Sequence, residues 1–169
     1  RFMFGQMIDG WFKDFVPEYN DFVKAMLLGD IKAMNGYMNK VALATFSYFD
    51  SGIKPSEESE PERFYHGFVL GLTVDLSDRY VITSNRESGF GRYDVMLEPK
   101  RQEDCAVIME FKVRDPIEEK NLEETASEAL LQIERKRYAA ALESRGVASE
   151  RIRKYGFAFE GKTVLIRNK

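Results

Sequence analysis

Residues 93–113 read YDVMLEPKRQEDCAVIMEFKV. Two apolar runs, 93–97 and 105–112, flank a polar segment at 98–104. Short runs that are rich in β-branched and aromatic residues and are separated by a polar turn are typical of two neighbouring strands. The stretch therefore predicts an antiparallel hairpin.

Charged residues interrupt these apolar strands at Asp94, Glu110 and Lys112. Because side chains alternate across a strand, Glu110 and Lys112 project from one face, about 7 Å apart at roughly 3.4 Å per residue. Pairing of the hairpin can set Asp94 beside them. Two carboxylates that share a partly buried position repel each other and lose hydration, so they persist only where a cation or a lysine compensates.

A hard divalent metal ion fits that need. Mg²⁺ takes oxygen ligands, commonly one or two carboxylates with water completing the octahedron. Water activated by such an ion can attack phosphorus, and Lys112 would orient that water or offset the developing negative charge. The alternative is that Glu110 and Lys112 form an ordinary exposed pair on an edge strand, with Asp94 solvated near the hairpin.

Downstream of the hairpin, apolar residues recur at helical spacing from 118 to about 144, and Gly146 follows. This pattern predicts one amphipathic helix that ends before the glycine. Residues 155–159 and 164–166 alternate as two further strands about a tight turn. The hairpin is thus followed by a helix and a second pair of strands.

Upstream, residues 80–83 predict a short strand, and a helix is expected to begin just after Pro61. The order after residue 61 is then α-β-β-β-α-β-β, an α/β fold with a mixed sheet and helices against it. Through residue 50 the pattern is helical, with Asp30 as the expected N-cap of a helix that carries apolar residues inward. Residues 50–61 lack periodicity and predict an exposed loop.

Composition excludes several classes of protein. The 169 residues are 44% hydrophobic and 31% charged, as in one globular domain, and a single cysteine and a single histidine rule out an internal disulfide and a His-rich zinc site. A net charge of -3 argues against nucleic-acid binding by bulk charge.

The sequence predicts no membrane span and no secretory signal, so the cytoplasm is the expected location. It begins at an arginine in mid-pattern, which favours the C-terminal piece of a longer protein.

The hairpin carries a family resemblance. Residues 91–94, GRYD, followed by 108–113, IMEFKV, resemble the active-site hairpin of the PD-(D/E)XK nuclease superfamily. Further motifs resemble the bacterial branch that lies C-terminal to an AAA-ATPase-like domain; they are 62–68 ERFYHGF, 84–89 SNRESG, 128–133 EALLQI and 155–162 YGFAFEGK. The similarity runs from about residue 20 to the end. The chain departs from the family pattern in having Tyr93, not proline, before Asp94.

The resemblance implies a restriction-endonuclease-like mixed β-sheet flanked by helices, with an N-terminal helical segment. It also implies Mg²⁺-dependent phosphodiester hydrolysis, with Mn²⁺ as a possible substitute. Asp94 and Glu110 map onto the metal ligands, with the backbone carbonyl of Phe111 as a third. Lys112 maps onto the motif lysine.

Three further site residues follow from the same resemblance. Gln132 lies on the helix after the motif strand, where such nucleases often place a polar residue facing the site; a solvated helix position is the alternative. Glu62 is the candidate for the acidic residue of the first core helix. His66 lies one turn further on the same face, and a hydrogen-bonded histidine beside the sheet is the plainer reading.

The expected organisation has three parts. Residues 1–16 are a linker from an upstream ATPase-like domain of the same polypeptide, 17–60 an N-terminal helical extension and loop, and 61–169 the nuclease-like core. The partner is nucleic acid, with DNA favoured over RNA only by the habit of the superfamily. Candidate phosphate contacts are the basic residues Arg86, Arg92, Arg135, Lys136, Arg137, Arg151, Arg153 and Lys154.

Two alternatives to a nuclease stay open. One is a catalytically silent module that couples the upstream ATPase-like domain to nucleic acid or to a protein. The other is a metal-dependent hydrolase of small phosphoesters.

Overall fold

In a computed structural model that describes residues 20–49, 71, 75–86 and 92–169, the predicted hairpin lies in the middle of a five-stranded sheet. The strands are β1 (Tyr80–Arg86), β2 (Arg92–Pro99), β3 (Ala106–Val113), β4 (Ile152–Glu160) and β5 (Thr163–Asn168). They lie side by side in chain order, and β3 and β4 run parallel while every other neighbouring pair is antiparallel. The strand that carries Glu110 and Lys112 is therefore the central one.

Four helices flank the sheet in the part of the chain described. They are α1 (20–28), α2 (Ile31–Phe49), α3 (Leu122–Arg135) and α4 (Tyr138–Ser144). The predicted fold class is confirmed: this is the mixed sheet between helices of a restriction-endonuclease-like α/β fold. None of these helices is long and apolar enough to cross a membrane. The helix expected just after Pro61 falls outside the residues described.

The two faces of the sheet bury different sets of side chains. Odd-numbered residues of β2 and β3 pack with α1 and α2 in the larger core, in which Val95, Met109 and Phe157 are fully buried. Even-numbered residues face α3 and α4, where Ile108 and Ile133 belong to a smaller core. Because residue parity fixes the face, Asp94, Glu110 and Lys112 all lie beneath α3 and α4.

One predicted element is wrong in detail. The single helix expected from 118 to about 144 is in fact two helices, α3 and α4, separated by residues 136 and 137. The first begins only after Asn121, whose Oδ1 accepts the N–H of Glu124 at 2.9 Å. At the break the N–H of Lys136 reaches the carbonyl of Gln132, and Arg137 takes a left-handed conformation with φ +55°. Apolar spacing continues through 144, so periodicity alone gave no sign of the break.

Helix α2 covers the free edge of β5 with two asparagines. Asp30 caps the helix as expected, since its Oδ1 accepts the N–H of Ala33 at 3.0 Å. Asn35 donates to the carbonyl of Ile166 at 2.9 Å and accepts its N–H at 2.8 Å, and Asn39 pairs with Val164 in the same way at 2.7 and 3.0 Å. The two amides thus satisfy backbone groups that an edge strand would leave open to pairing with another chain.

Replacing both Asn35 and Asn39 by alanine is expected to destabilise the domain. The change removes four hydrogen bonds between the two amide side chains and partly buried backbone groups of β5. Each hydrogen bond is worth about 1 kcal/mol, so the free energy of unfolding should fall by several kcal/mol. Urea denaturation followed by circular dichroism measures it. Lys32→Ala, on the exposed side of the same helix, is the control and should change stability little. Equal stability of the double variant and the control would show that the hydrogen bonds from Asn35 and Asn39 to β5 do not stabilise the domain.

Tyr155 makes stability sensitive to alkaline pH. Its hydroxyl donates to the carbonyl of Met26 at 2.5 Å in the core, and burial raises the pKa of this phenol to about 12. An unfolded tyrosine has a pKa of about 10. The neutral phenol is therefore favoured by folding, and this contribution is complete below pH 10 and lost as the pH rises towards 12.

The melting temperature should accordingly fall between pH 10 and 11.5, and it should fall less steeply in Tyr155→Phe. The slope should persist in part, since the pKa of Tyr80 is also raised to about 12 by burial and by the nearby Asp104. Identical slopes for the wild type and Tyr155→Phe would show that folding does not raise the pKa of this phenol. Differential scanning calorimetry across the range makes the comparison.

Candidate active site

The structure sets Asp94 and Glu110 against each other at the centre of the sheet. They are direct partners in the antiparallel register of β2 and β3, so their side chains leave the same face next to one another. Asp94 is 2% exposed and Glu110 is 1% exposed. An exposed pair on an edge strand, the alternative considered for Glu110 and Lys112, is thereby excluded.

A lysine from the end of α3 bridges the two acids. The Nζ of Lys136 lies 2.9 Å from Oδ2 of Asp94 and 3.2 and 3.1 Å from the two oxygens of Glu110. Two carboxylates and one ammonium carry a formal charge of -2 + 1 = -1. The cluster therefore still favours additional positive charge. We refer to Asp94 and Glu110 as the acid pair.

Two neutral groups also donate hydrogen bonds to Asp94. The amide of Asn85, its register partner on β1, donates to Oδ1 at 3.0 Å, and the hydroxyl of Tyr138 donates to Oδ2 at 2.9 Å. Burial, followed by the bond to Asp94, raises the pKa of the Tyr138 phenol to about 12. Tyr138 therefore stays protonated at neutral pH and remains a donor that orients the carboxylate.

The motif lysine has a buried carboxylate of its own. Lys112, 6% exposed, donates to Oε1 of Glu119, which is 8% exposed and follows β3 in an irregular turn. The other oxygen of Glu119 accepts the backbone N–H of Asp115 at 3.0 Å and the hydroxyl of Thr125 on α3 at 2.8 Å. Three donors from different parts of the chain hold Glu119 in one position, and this fixes the ammonium of Lys112 beside the sheet.

Of the other predicted site residues, the structure places Phe111 and Gln132 but does not describe Glu62 and His66. The ring of Phe111 lies on the opposite face, buried and stacked on Phe157 with centroids 4.4 Å apart, so only its backbone is available to the site. Gln132 is half-buried on α3, one turn before Lys136 and so on the same side of the helix. Glu62 and His66 fall outside the residues described.

A groove of about 590 Å³ opens beside Lys112. Half of its ten lining residues are acidic, namely Glu118, Glu119, Glu123, Glu124 and Glu128, against the two basic residues Lys112 and Arg167. This excess of negative charge repels phosphate groups. A nucleic-acid backbone is therefore expected to reach the acid pair from outside this groove.

Sequence reasoning missed four residues of the site: Lys136 as a bridge, Tyr138, Asn85 and Glu119. One signal for a lysine was available, because buried carboxylates need a compensating cation and the helix after the motif strand contains Lys136. Its position among exposed basic residues instead suggested a solvated surface. No pattern marked Glu119, which lies in a turn without periodicity.

The acid pair suits a hard divalent ion. Its carboxylate oxygens are the kind of ligand that Mg²⁺ prefers. With Lys136 included the cluster has a net charge of -1, which a bound cation would offset. Within the residues described, no group of three or more His, Cys, Asp or Glu side chains converges on one point. Further ligands would then include backbone carbonyls, amide or hydroxyl side chains, water, or groups from the part of the chain that is not described.

Comparison with known proteins gives one family. A search of curated proteins finds no significant match. A family model described as the PD-(D/E)XK nuclease superfamily matches residues 60–169, which is more than half of the chain and contains the acid pair, Lys112 and all five strands. Most members of this superfamily are nucleases and generally use divalent metal ions. With this match, the sheet order and the motif hairpin in agreement, the chain belongs to the PD-(D/E)XK nuclease superfamily.

Proposed function

We propose that this domain is a Mg²⁺-dependent nuclease that hydrolyses phosphodiester bonds of DNA, with Mn²⁺ able to replace Mg²⁺. The observation that carries the proposal is the acid pair: two carboxylates, 2% and 1% exposed, opposite each other on the central hairpin, with Lys112 two residues further on. Such a concentration of buried charge is costly to stability, and it is characteristic of sites that perform chemistry.

Asp94 and Glu110 would hold the ion, together with the carbonyl of Phe111. When bound, the ion supplies Lewis-acid stabilisation and an activated water. Asn85 and Tyr138 keep Asp94 in one orientation through bonds of 3.0 and 2.9 Å. Partners of this kind fix ligand geometry and commonly change metal affinity by about 10–100-fold.

Lys112 would face the phosphate and offset the negative charge that develops on its oxygens as the bond to the leaving group breaks. Glu119 positions this ammonium through the buried bond between them. Gln132, Glu62 and His66 are proposed to line the same site. For these three the support is the family resemblance alone.

The proposal also covers the biological setting, in which only the ATPase-like domain rests on the family resemblance. We propose that the domain acts in the cytoplasm and is coupled to an upstream ATPase-like domain of the same polypeptide. Basic residues near the site would contact phosphates without reading bases, so binding should be salt-sensitive and tolerant of sequence.

The test is direct incubation of the purified chain with supercoiled plasmid, single-stranded DNA and RNA. We expect nicking or degradation of DNA with Mg²⁺ or Mn²⁺ and none with EDTA. A chromogenic phosphodiester, included in parallel, tests for a small-molecule hydrolase, which would turn it over and leave polymers intact. Absence of DNA cleavage with either ion would refute the proposal.

One observation favours a catalytically silent module as the second candidate. Lys136 donates hydrogen bonds to both members of the acid pair and offsets one of their two charges. A silent module would bind nucleic acid in a gel-shift assay while showing no cleavage and no metal binding by calorimetry.

A further inference from the structure

The ammonium of Lys136 occupies the space between the two acids. Its Nζ is within 3.2 Å of three of the four carboxylate oxygens, and the fourth, Oδ1 of Asp94, accepts from Asn85. Every oxygen of the acid pair thus has a hydrogen-bond donor. A metal ion that coordinates both acids needs the lone pairs that now point at Nζ.

The chain holds Lys136 at this point by the break between α3 and α4. Its backbone N–H bonds to the carbonyls of Gln132 and Glu134, the left-handed Arg137 follows at the break, and the next residue, Tyr138, also reaches Asp94. The side chain of Lys136 is 13% exposed, against 3% for Asp94 and 1% for Glu110. Lys136 is thus more exposed than either acid, and its flexible four-carbon stem would let the ammonium withdraw.

We propose that Lys136 is a resident counter-cation that a divalent ion must displace from the acid pair. The inference rests on the nuclease function proposed above and adds a regulatory step at the same site. In the absence of an ion, Lys136 offsets the repulsion between two buried carboxylates and stabilises the domain. When an ion arrives, the same contacts oppose its entry, so Lys136 weakens the apparent affinity of the site.

Removing the ammonium should therefore strengthen metal binding. Mn²⁺ titrated into the full 169-residue chain by calorimetry should bind Lys136→Met at least about tenfold more tightly than the wild type, the scale set by charge-assisted hydrogen bonds of this kind. Lys154→Met is the matched control. Lys154 also pairs with a carboxylate of α3, at 2.7 Å from Glu134, and is 20% exposed, but its partner is not a member of the acid pair. Its loss should leave Mn²⁺ affinity unchanged.

Thermal melting gives a second readout that needs no turnover. In EDTA, Lys136→Met should melt below the wild type because the acid pair loses its counter-cation. Mn²⁺ should raise the melting temperature of Lys136→Met by more than it raises that of the wild type. Lys136→Gln keeps a hydrogen-bond donor without the charge, and it replaces Lys136→Met in both measurements should the latter fail to fold.

The outcomes separate this inference from the proposed function. Tighter binding in the variant supports the inference, including the case in which only the variant binds. Equal or weaker binding in the variant, with the wild type binding Mn²⁺, overturns the competition and leaves the nuclease proposal intact. No binding by either folded protein overturns both.

Discussion

Glu110→Gln and Asp94→Asn should each abolish metal-dependent cleavage of DNA while leaving the domain folded. Both changes keep the size of the side chain and remove one of the two charges that would hold the ion. Loss of even an outer partner of a metal site lowers affinity or activity by about 10–100-fold, so loss of a ligand should lower the cleavage rate by at least about a hundredfold. Plasmid nicking at saturating Mg²⁺ measures the rate.

Stability makes these variants informative. In the wild type the acid pair and Lys136 sum to -1, whereas either substitution leaves one carboxylate with one ammonium and a balanced charge. Removing the repulsion between two buried carboxylates favours the folded state, whereas the new amide turns an N–H group towards donors from which the carboxylate accepted, such as Lys136. The melting temperature in EDTA is therefore measured for each variant, and a loss of activity in a variant that is folded at the assay temperature cannot be attributed to unfolding.

Glu98→Gln is the matched control. Glu98 lies on β2, four residues from Asp94 and on the same face. Its carboxylate pairs with Arg145, with 3.0 Å between Oε1 and Nε, and is not a member of the acid pair. Its neutralisation should leave nicking unchanged. If both Asp94→Asn and Glu110→Gln cleave DNA at the wild-type rate, the acid pair is not required for cleavage.

The hairpin could be predicted from the sequence because its determinants are local. Residues 93–97 and 105–112 are apolar, a polar segment separates them, and the two-residue period of a strand assigns Glu110 and Lys112 to one face. Asp94 faces Glu110 because pairing across a hairpin is antiparallel. The sheet order follows from the same local patterns once β4 is joined to β3 through a helix.

The rest of the site depends on contacts between distant residues. Lys136 and Tyr138 reach Asp94 only because the helix is broken at Arg137, a residue with no evident preference for φ of +55°. A glycine or asparagine there would have signalled the break. Glu119 is held by Lys112, Asp115 and Thr125, and no spacing in the sequence encodes that convergence.

Gly156→Ala should destabilise the domain by roughly 3 kcal/mol or more, at the upper end of what overpacking costs. Gly156 lies on β4 directly beside Glu110, and α3 crosses it closely. A Cβ at this position would lie 2.4 Å from the carbonyl oxygen of Ala126 and 3.2 Å from the Cβ of Ala129. The first contact is with helix backbone, which cannot rotate away. Urea denaturation followed by circular dichroism measures the loss.

Gly36→Ala provides the opposite expectation. Gly36 lies within α2 with open space around its Cα, and alanine in a helix is favoured over glycine by roughly 0.5–1 kcal/mol, so this variant should be more stable than the wild type. A comparably small effect of Gly156→Ala would mean that α3 does not approach the sheet this closely. The approach matters for function, because α3 carries Thr125, which donates to Glu119, and leads to Tyr138, which donates to Asp94. Relief of the clash requires α3 to move off β4, so any folded Gly156→Ala should also lose cleavage activity as these two hydrogen bonds lengthen.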